Sequence, residues 1–158
     1  MAYGKIKADT LTYDNNGSDV DVLISDLAGA GSTAGTGSAN TFTATQTFNA
    51  GVSIDGPYEQ AVEAVAALDI DLSTGNYFTK TINANSTFTF SNPPASGTVG
   101  SFTLELTHTS GTVTWPASVK WPADTAPTLT AGKTHLFIFV TDDNGYCYRG
   151  AALADYVN

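Results

Sequence analysis

Two histidines, one cysteine and fifteen Asp and Glu residues are the groups of this chain that could ligate a metal or carry a proton. His108 and His135 stand 27 positions apart, and no third nitrogen or sulfur ligand has metal spacing near either. A zinc site needs three or four such ligands, so both histidines read as core or solvent-facing residues. Cys147 is alone, cannot close an intrachain disulfide, and reads as a small packing residue. Asp14, Asn16, Asp19 and Asp21 resemble a calcium loop in composition, but the sixth and twelfth positions are Asp19 and Ser25 where an EF-hand needs glycine and glutamate. That stretch is therefore a turn. Glycosidic chemistry would need two carboxyl groups held across a cleft, and the acids here fall in turns and on the polar phases of strands. Neither a catalytic residue, nor a cofactor, nor a metal is expected. Trp115 and Trp121, each followed by a proline, are the remaining candidates: a stacking surface for the sugar rings of a host glycan, or part of the core.

Composition narrows the partners. Charged residues make up 13% of the chain, about half the usual share of roughly 25%, and Thr, Ser, Asn and Gly take their place. Such weakly charged polar surfaces suit a protein embedded in an assembly. The net charge of -9, with six scattered Lys and Arg, argues against nucleic acid, whose phosphates need clustered basic groups. No run of apolar residues reaches the length of a membrane-spanning helix, and the N-terminus lacks the apolar core of a secretory signal, so no membrane insertion is expected.

The elements that must position these residues are strands. Phe88 and Phe90, then Phe102, Leu104 and Leu106, then Val113 and Trp115 alternate with Thr, Ser or Glu. This period of two turns one face inward and one to water. Leu136 to Val140 is apolar in both phases and predicts a strand covered on both sides, by a second layer or by another subunit. From Ala64 to Leu72 the phase Ala64, Ala66, Leu68, Ile70 and Leu72 predicts one strand with Asp69 and Asp71 facing water, after at most one helical turn at Pro57. Pro116, Pro122 and Pro127 predict a long exposed connection between Trp115 and Leu129. Tyr146 to Arg149 reads as the last strand, joined to its predecessor through Asp143-Asn-Gly145.

The first third is poorer in apolar residues. Lys5 to Tyr13 and Asp19 to Ile24 predict a hairpin joined by Asp14-Asn15-Asn16-Gly17, whose Asn-Gly supplies the positive φ of a tight loop. Its few apolar residues, among them Ile6, Leu11, Tyr13, Val22 and Ile24, are too little to hold a lone hairpin. The hairpin must dock on something: either it packs on the chain's own C-terminal domain or, the favoured reading, it is a peg that inserts into a partner. Ala28 to Asn40 is a flexible linker by composition; its glycines lack the G-x-x-x-x-G-K-[ST] pattern of a phosphate cradle. In Thr41 to Asp55 even positions carry Phe42, Ala44, Gln46, Phe48, Ala50, Val52 and Ile54, and odd positions are polar or glycine. So clean a register asks for one buried face, and the strip is too thin to bury it against itself. Threefold wrapping satisfies it, which predicts a homotrimer with Phe42, Phe48, Val52 and Ile54 in the interface; an edge strand on the C-terminal domain is the simpler alternative. The expected organisation is all-β: an attachment hairpin over 1–28, linker and strip over 29–56, and an antiparallel β-sandwich of jelly-roll type over 57–158.

Asp71-Leu-Ser-Thr-Gly-Asn76, Phe88-Thr-Phe-Ser-Asn-Pro-Pro-Ala95, Gly100-Ser-Phe-Thr-Leu104, Val113-Thr-Trp-Pro-Ala-Ser-Val-Lys-Trp121, Ala126-Pro-Thr-Leu129 and Phe139-Val-Thr-Asp142 resemble a β-rich module of bacteriophage tail-fibre and other virion proteins, particularly those of phages of marine cyanobacteria. Met1-Ala-Tyr-Gly-Lys-Ile-Lys-Ala-Asp9 and Ile24-Ser-Asp-Leu-Ala28 resemble the start of short structural proteins of the same phages. The resemblance implies a place in the virion, as a short tail fibre or tail appendage, or as a capsid decoration or head-fibre protein bound to the major capsid protein. It transfers no catalytic residues.

Overall fold

The computed structural model describes residues 10–23, 46, 48 and 51–157, and within the hairpin the side chains of Thr12, Asn16 and Gly17 alone. Strands dominate and the described helix is one short 3-10 turn, Pro122–Asp124. The chain divides into two units, Met1–Ser53 and Ile54–Asn158.

In the first unit β1 (Thr10–Asn15) and β2 (Ser18–Leu23) form an antiparallel ladder whose register pairs Leu11 with Val22 and Tyr13 with Val20. Asn16 and Gly17 close it with φ of 54° and 87°. Two successive positive φ values make the turn whose twist matches that of paired strands. The turn is thus two residues long, tighter than the four-residue link Asp14 to Gly17 that polarity suggests, because Asn15 and Ser18 still pair.

The second unit is built on a six-stranded sheet. Its members in chain order are β3 (Glu63–Ala64), β5 (Tyr77–Ile82), β8 (Gly100–His108), β10 (Val119–Lys120), β11 (Lys133–Thr141) and β12 (Tyr148–Tyr156), arranged β10-β12-β11-β8-β5-β3. Between them the chain makes β4 (Asp69–Asp71), β6 (Ser86–Thr87), β7 (Thr89–Ser91) and β9 (Val113–Thr114), which pair as β4-β7 and β6-β9. The expected antiparallel arrangement is corrected here: β3-β5, β5-β8, β4-β7, β6-β9 and β10-β12 are parallel, while β8-β11 and β11-β12 are antiparallel. Parallel neighbours cannot be joined by a tight turn and need a crossover. Here each crossover between sheet strands itself contains a strand: β4 lies between β3 and β5, and β6 and β7 lie between β5 and β8. Residues 86–91 change partner midway, with Phe88 N–H donating to Thr114 and Thr89 N–H to Leu68. The chain therefore winds between the large sheet and the short ladders.

The core sits between them. Phe78, Phe102, Leu104, Leu106, Phe137, Phe139 and Tyr148 of the sheet are buried with Val65, Ile70, Phe88 and Val119. Phe90 of β7 places its ring edge-on to Phe102 at 5.1 Å and to Tyr148 at 4.9 Å, spacings at which aromatic pairs add to simple burial. The alternation read from Phe102 to Leu106 is thus the covered face.

Three local expectations are corrected. The single strand over 64–72 is two strands in different ladders, with no helical turn among residues 57–62. Val65 still donates to Thr79, but the Lys80 ammonium donates to the carbonyls of Val65 and Ala66 at 2.8 and 2.9 Å. Those carbonyls are satisfied by a side chain, so the chain can leave the sheet edge there. The apolar phase survives only as Leu68, Ile70 and Leu72; Val62, Ala64 and Ala66 are exposed. Next, the proline-rich connection contains β10, whose Val119 is buried and pairs with Tyr148. Last, β12 runs on to Tyr156, well past Arg149, since β11 offers it a full edge to pair with.

Candidate functional site

The histidines are core residues. His135 is fully buried on the covered face of β11. Its Nε2 lies 3.2 Å from the Thr130 carbonyl, and its Nδ1 accepts the Asp155 N–H at 3.2 Å. A carbonyl only accepts, so His135 carries its proton on Nε2. His108 does the same toward Gly111 at 2.8 Å, and its buried Nδ1 has no hydrogen-bond partner among the described residues. Among the described residues no three His, Cys, Asp or Glu come together as metal ligands. No helix among them is long and apolar enough to cross a membrane.

Gly111 holds the turn after β8 against the loop after β5. Its φ is 94°, and a Cβ there would stand 2.1 Å from the Ala84 carbonyl carbon. Around it Ser110 Oγ donates to the Asn83 carbonyl at 2.7 Å and the Thr112 N–H to Asn85 Oδ1 at 2.9 Å. Beside it lies a cavity of about 230 Å³, lined by His108, Val113, Trp115, Pro127 and Leu129 among others.

Both indoles pack against the core. Trp115 stacks on Phe88 at 5.3 Å and lies 4.6 Å from the Phe137 ring, while Trp121 stands 5.7 Å from Phe139 and close over Gly150. Their planes differ by 65°, so they do not make one flat stacking surface. Trp115 keeps an edge on the cavity.

Carboxylates work as sutures between turns and ladders. Asp69 accepts the hydroxyls of Thr89 and Ser91, both at 2.6 Å, tying β4 to β7. Asp71 accepts from Ser73 and from Asn92, and these hydrogen bonds hold its carboxyl below the usual range, the Ser73 hydroxyl foremost. Asp143 accepts the Cys147 N–H at 3.0 Å and the Thr141 hydroxyl at 3.1 Å; its acidity is strengthened first by that N–H. All three are exposed or half-buried, as their polar phases predict. The pairing of Asp69 with Thr89 and Ser91 and of Asp71 with Asn92 was hidden, since those partners lie some twenty residues away in sequence.

Of the residues predicted for self-assembly, Phe48, Val52 and Ile54 are 66%, 58% and 59% exposed. Phe42 lies outside the described residues, as do Ile6 and Ile24 of the attachment set. Leu11, Tyr13 and Val22 occupy ladder positions. The run Leu136 to Val140, expected to be covered on both sides, is covered within the chain on one side only, and its other side lies on the outer face of the large sheet. There Leu136, Ile138 and Val140 alternate with the buried Phe137 and Phe139, and Ile138 borders a groove of about 400 Å³ with Tyr58, Gln60, Tyr77, Ser101 and Thr103. Comparison with family models, curated proteins and solved structures finds no match for the chain.

Proposed function

We propose that this chain is a structural protein of a phage virion, a short tail fibre or tail appendage held by its N-terminal hairpin, with the C-terminal β domain outward. We also propose that the C-terminal unit is a β-sandwich, the β4-β7 and β6-β9 ladders serving as its second layer. The observation that carries the functional reading is the exposure of Phe48, Val52 and Ile54, the described large apolar residues of a strip whose sequence alternates apolar and polar residues. Such a register has a use only if another surface covers it. A homotrimer supplies that surface, and the hairpin adds strand pairing and apolar pegs to the particle. The polar, weakly charged surface and the resemblance of the 71–142 segments to phage virion modules support the same reading.

Imaging intact particles with a label on the chain tests it. Density at the tail or a vertex, in a small multiple of the symmetry there, is the expected result; hundreds of copies on the capsid would make it a decoration protein, and absence from particles would overturn it. A receptor role for the outer domain rests on the cavity bordered by Trp115 rather than on paired indoles. Binding of host polysaccharide by residues 57–158, lost on Trp115→Ala, measures that role.

A further inference from the structure

We infer that the outer face of the six-stranded sheet is the seat of the apolar strip from a second copy of this chain; the inference rests on the self-assembly proposed above and names its surface. In the antiparallel register Ile138 lies opposite Thr103 on one side and Ala151 on the other, and Leu136 opposite Leu153. Ile138 and Leu153 are 43% and 54% exposed, although the alternate residues Phe137 and Phe139 are fully buried. One face of β11 is thus covered within the chain, and the other is apolar and open.

Charge selects the occupant. The ionic groups on and beside this face are of both signs: Glu105, which accepts the Tyr77 hydroxyl at 2.7 Å, Arg149, paired with Asp142 at 3.1 Å, and Lys120, opposite Arg149 in the register. Residues 41–54 hold no charged side chain. In a chain of net charge -9 most surfaces of two copies repel. This strip and this face are two that do not. Position agrees as well, because Tyr58 and Gln60, just after the strip, form one wall of the groove that Ile138 borders. Ile54 and Tyr58 nevertheless remain 59% and 69% exposed, so neither side chain fills the groove. Each copy therefore offers a strip and a seat, and a head-to-tail exchange closes into a ring.

Cross-linking between copies tests this. Two differently tagged full-length chains, both carrying Cys147→Ser, are co-expressed, one with Ile54→Cys and the other with Ile138→Cys. Disulfide between the tags should form at least about tenfold faster than with Val99→Cys, an exposed loop position, in place of Ile138→Cys. Separately, Ile138→Asp with Leu153→Asp should reduce the full chain from oligomer to monomer while its β circular dichroism is kept. An oligomer that survives these substitutions and shows no cross-link above the control overturns the inference and leaves self-assembly standing. A wild-type chain that is monomeric overturns both. An efficient intrachain disulfide in the double Ile54→Cys, Ile138→Cys chain, with none between tags, would make the occupant the chain's own strip and overturns the inference too.

Discussion

Gly111 is the residue on which the covered face depends most locally. An alanine there would meet both a left-handed backbone conformation and the Ala84 carbonyl at 2.1 Å, so relief requires the loop after β5 to move. Gly111→Ala should cost at least about 2 kcal/mol, as strained positive-φ positions do; an unfolding midpoint in urea that does not move would contradict this. Asp143 gives a pH dependence with a definite sign. Its folded pKa is lowered, chiefly by the Cys147 N–H, so its contribution is complete above the unfolded value and disappears as pH falls through the lowered folded one. Thermal melts of the wild type and Asp143→Asn should differ fully from about pH 5 upward and converge as pH falls below the usual carboxylate range. A gap that is constant with pH would mean the carboxylate's charge is not what matters.

At the scale of elements, much was legible because period-two patterning reports burial. Phe102, Leu104 and Leu106 are buried as their spacing predicts. Neighbour and direction were not legible, because a strand alternates in the same way whether its partner runs parallel or antiparallel. Turn chemistry fixed the antiparallel pairs β1-β2 and β11-β12, and the parallel ones rest on crossovers that carry no short signature. The break between β3 and β4 escaped for a different reason: Lys80, distant in sequence, satisfies the carbonyls that a continuous strand would have paired. Phe139, ringed by Phe90, Phe102, Trp115 and Trp121, joins the large sheet to the short ladders. Phe139→Ala should therefore cost about 3–5 kcal/mol, read by urea denaturation of the full chain. A loss below about 1 kcal/mol would place the core elsewhere.

The whole molecule combines a well-filled β unit with an N-terminal third that has little to bury. Core residues named above all belong to residues 54–158, so that unit expressed as 57–158 should unfold cooperatively near the midpoint it has within the full chain. Loss of cooperativity on truncation would mean the first third is part of the same core. The two histidines and two tryptophans, which composition offers as chemistry, are absorbed by that core; what stays available on an otherwise polar, weakly charged surface is a set of exposed apolar side chains, Phe48, Val52, Ile54, Ile138 and Leu153 among them. Self-assembly through that surface is the central claim, and the molar mass of the purified full chain in dilute solution tests it most directly. Three chains per particle, falling to one when Val52→Asp and Ile54→Asp are introduced, is the result predicted. A stable, folded wild-type monomer would contradict it.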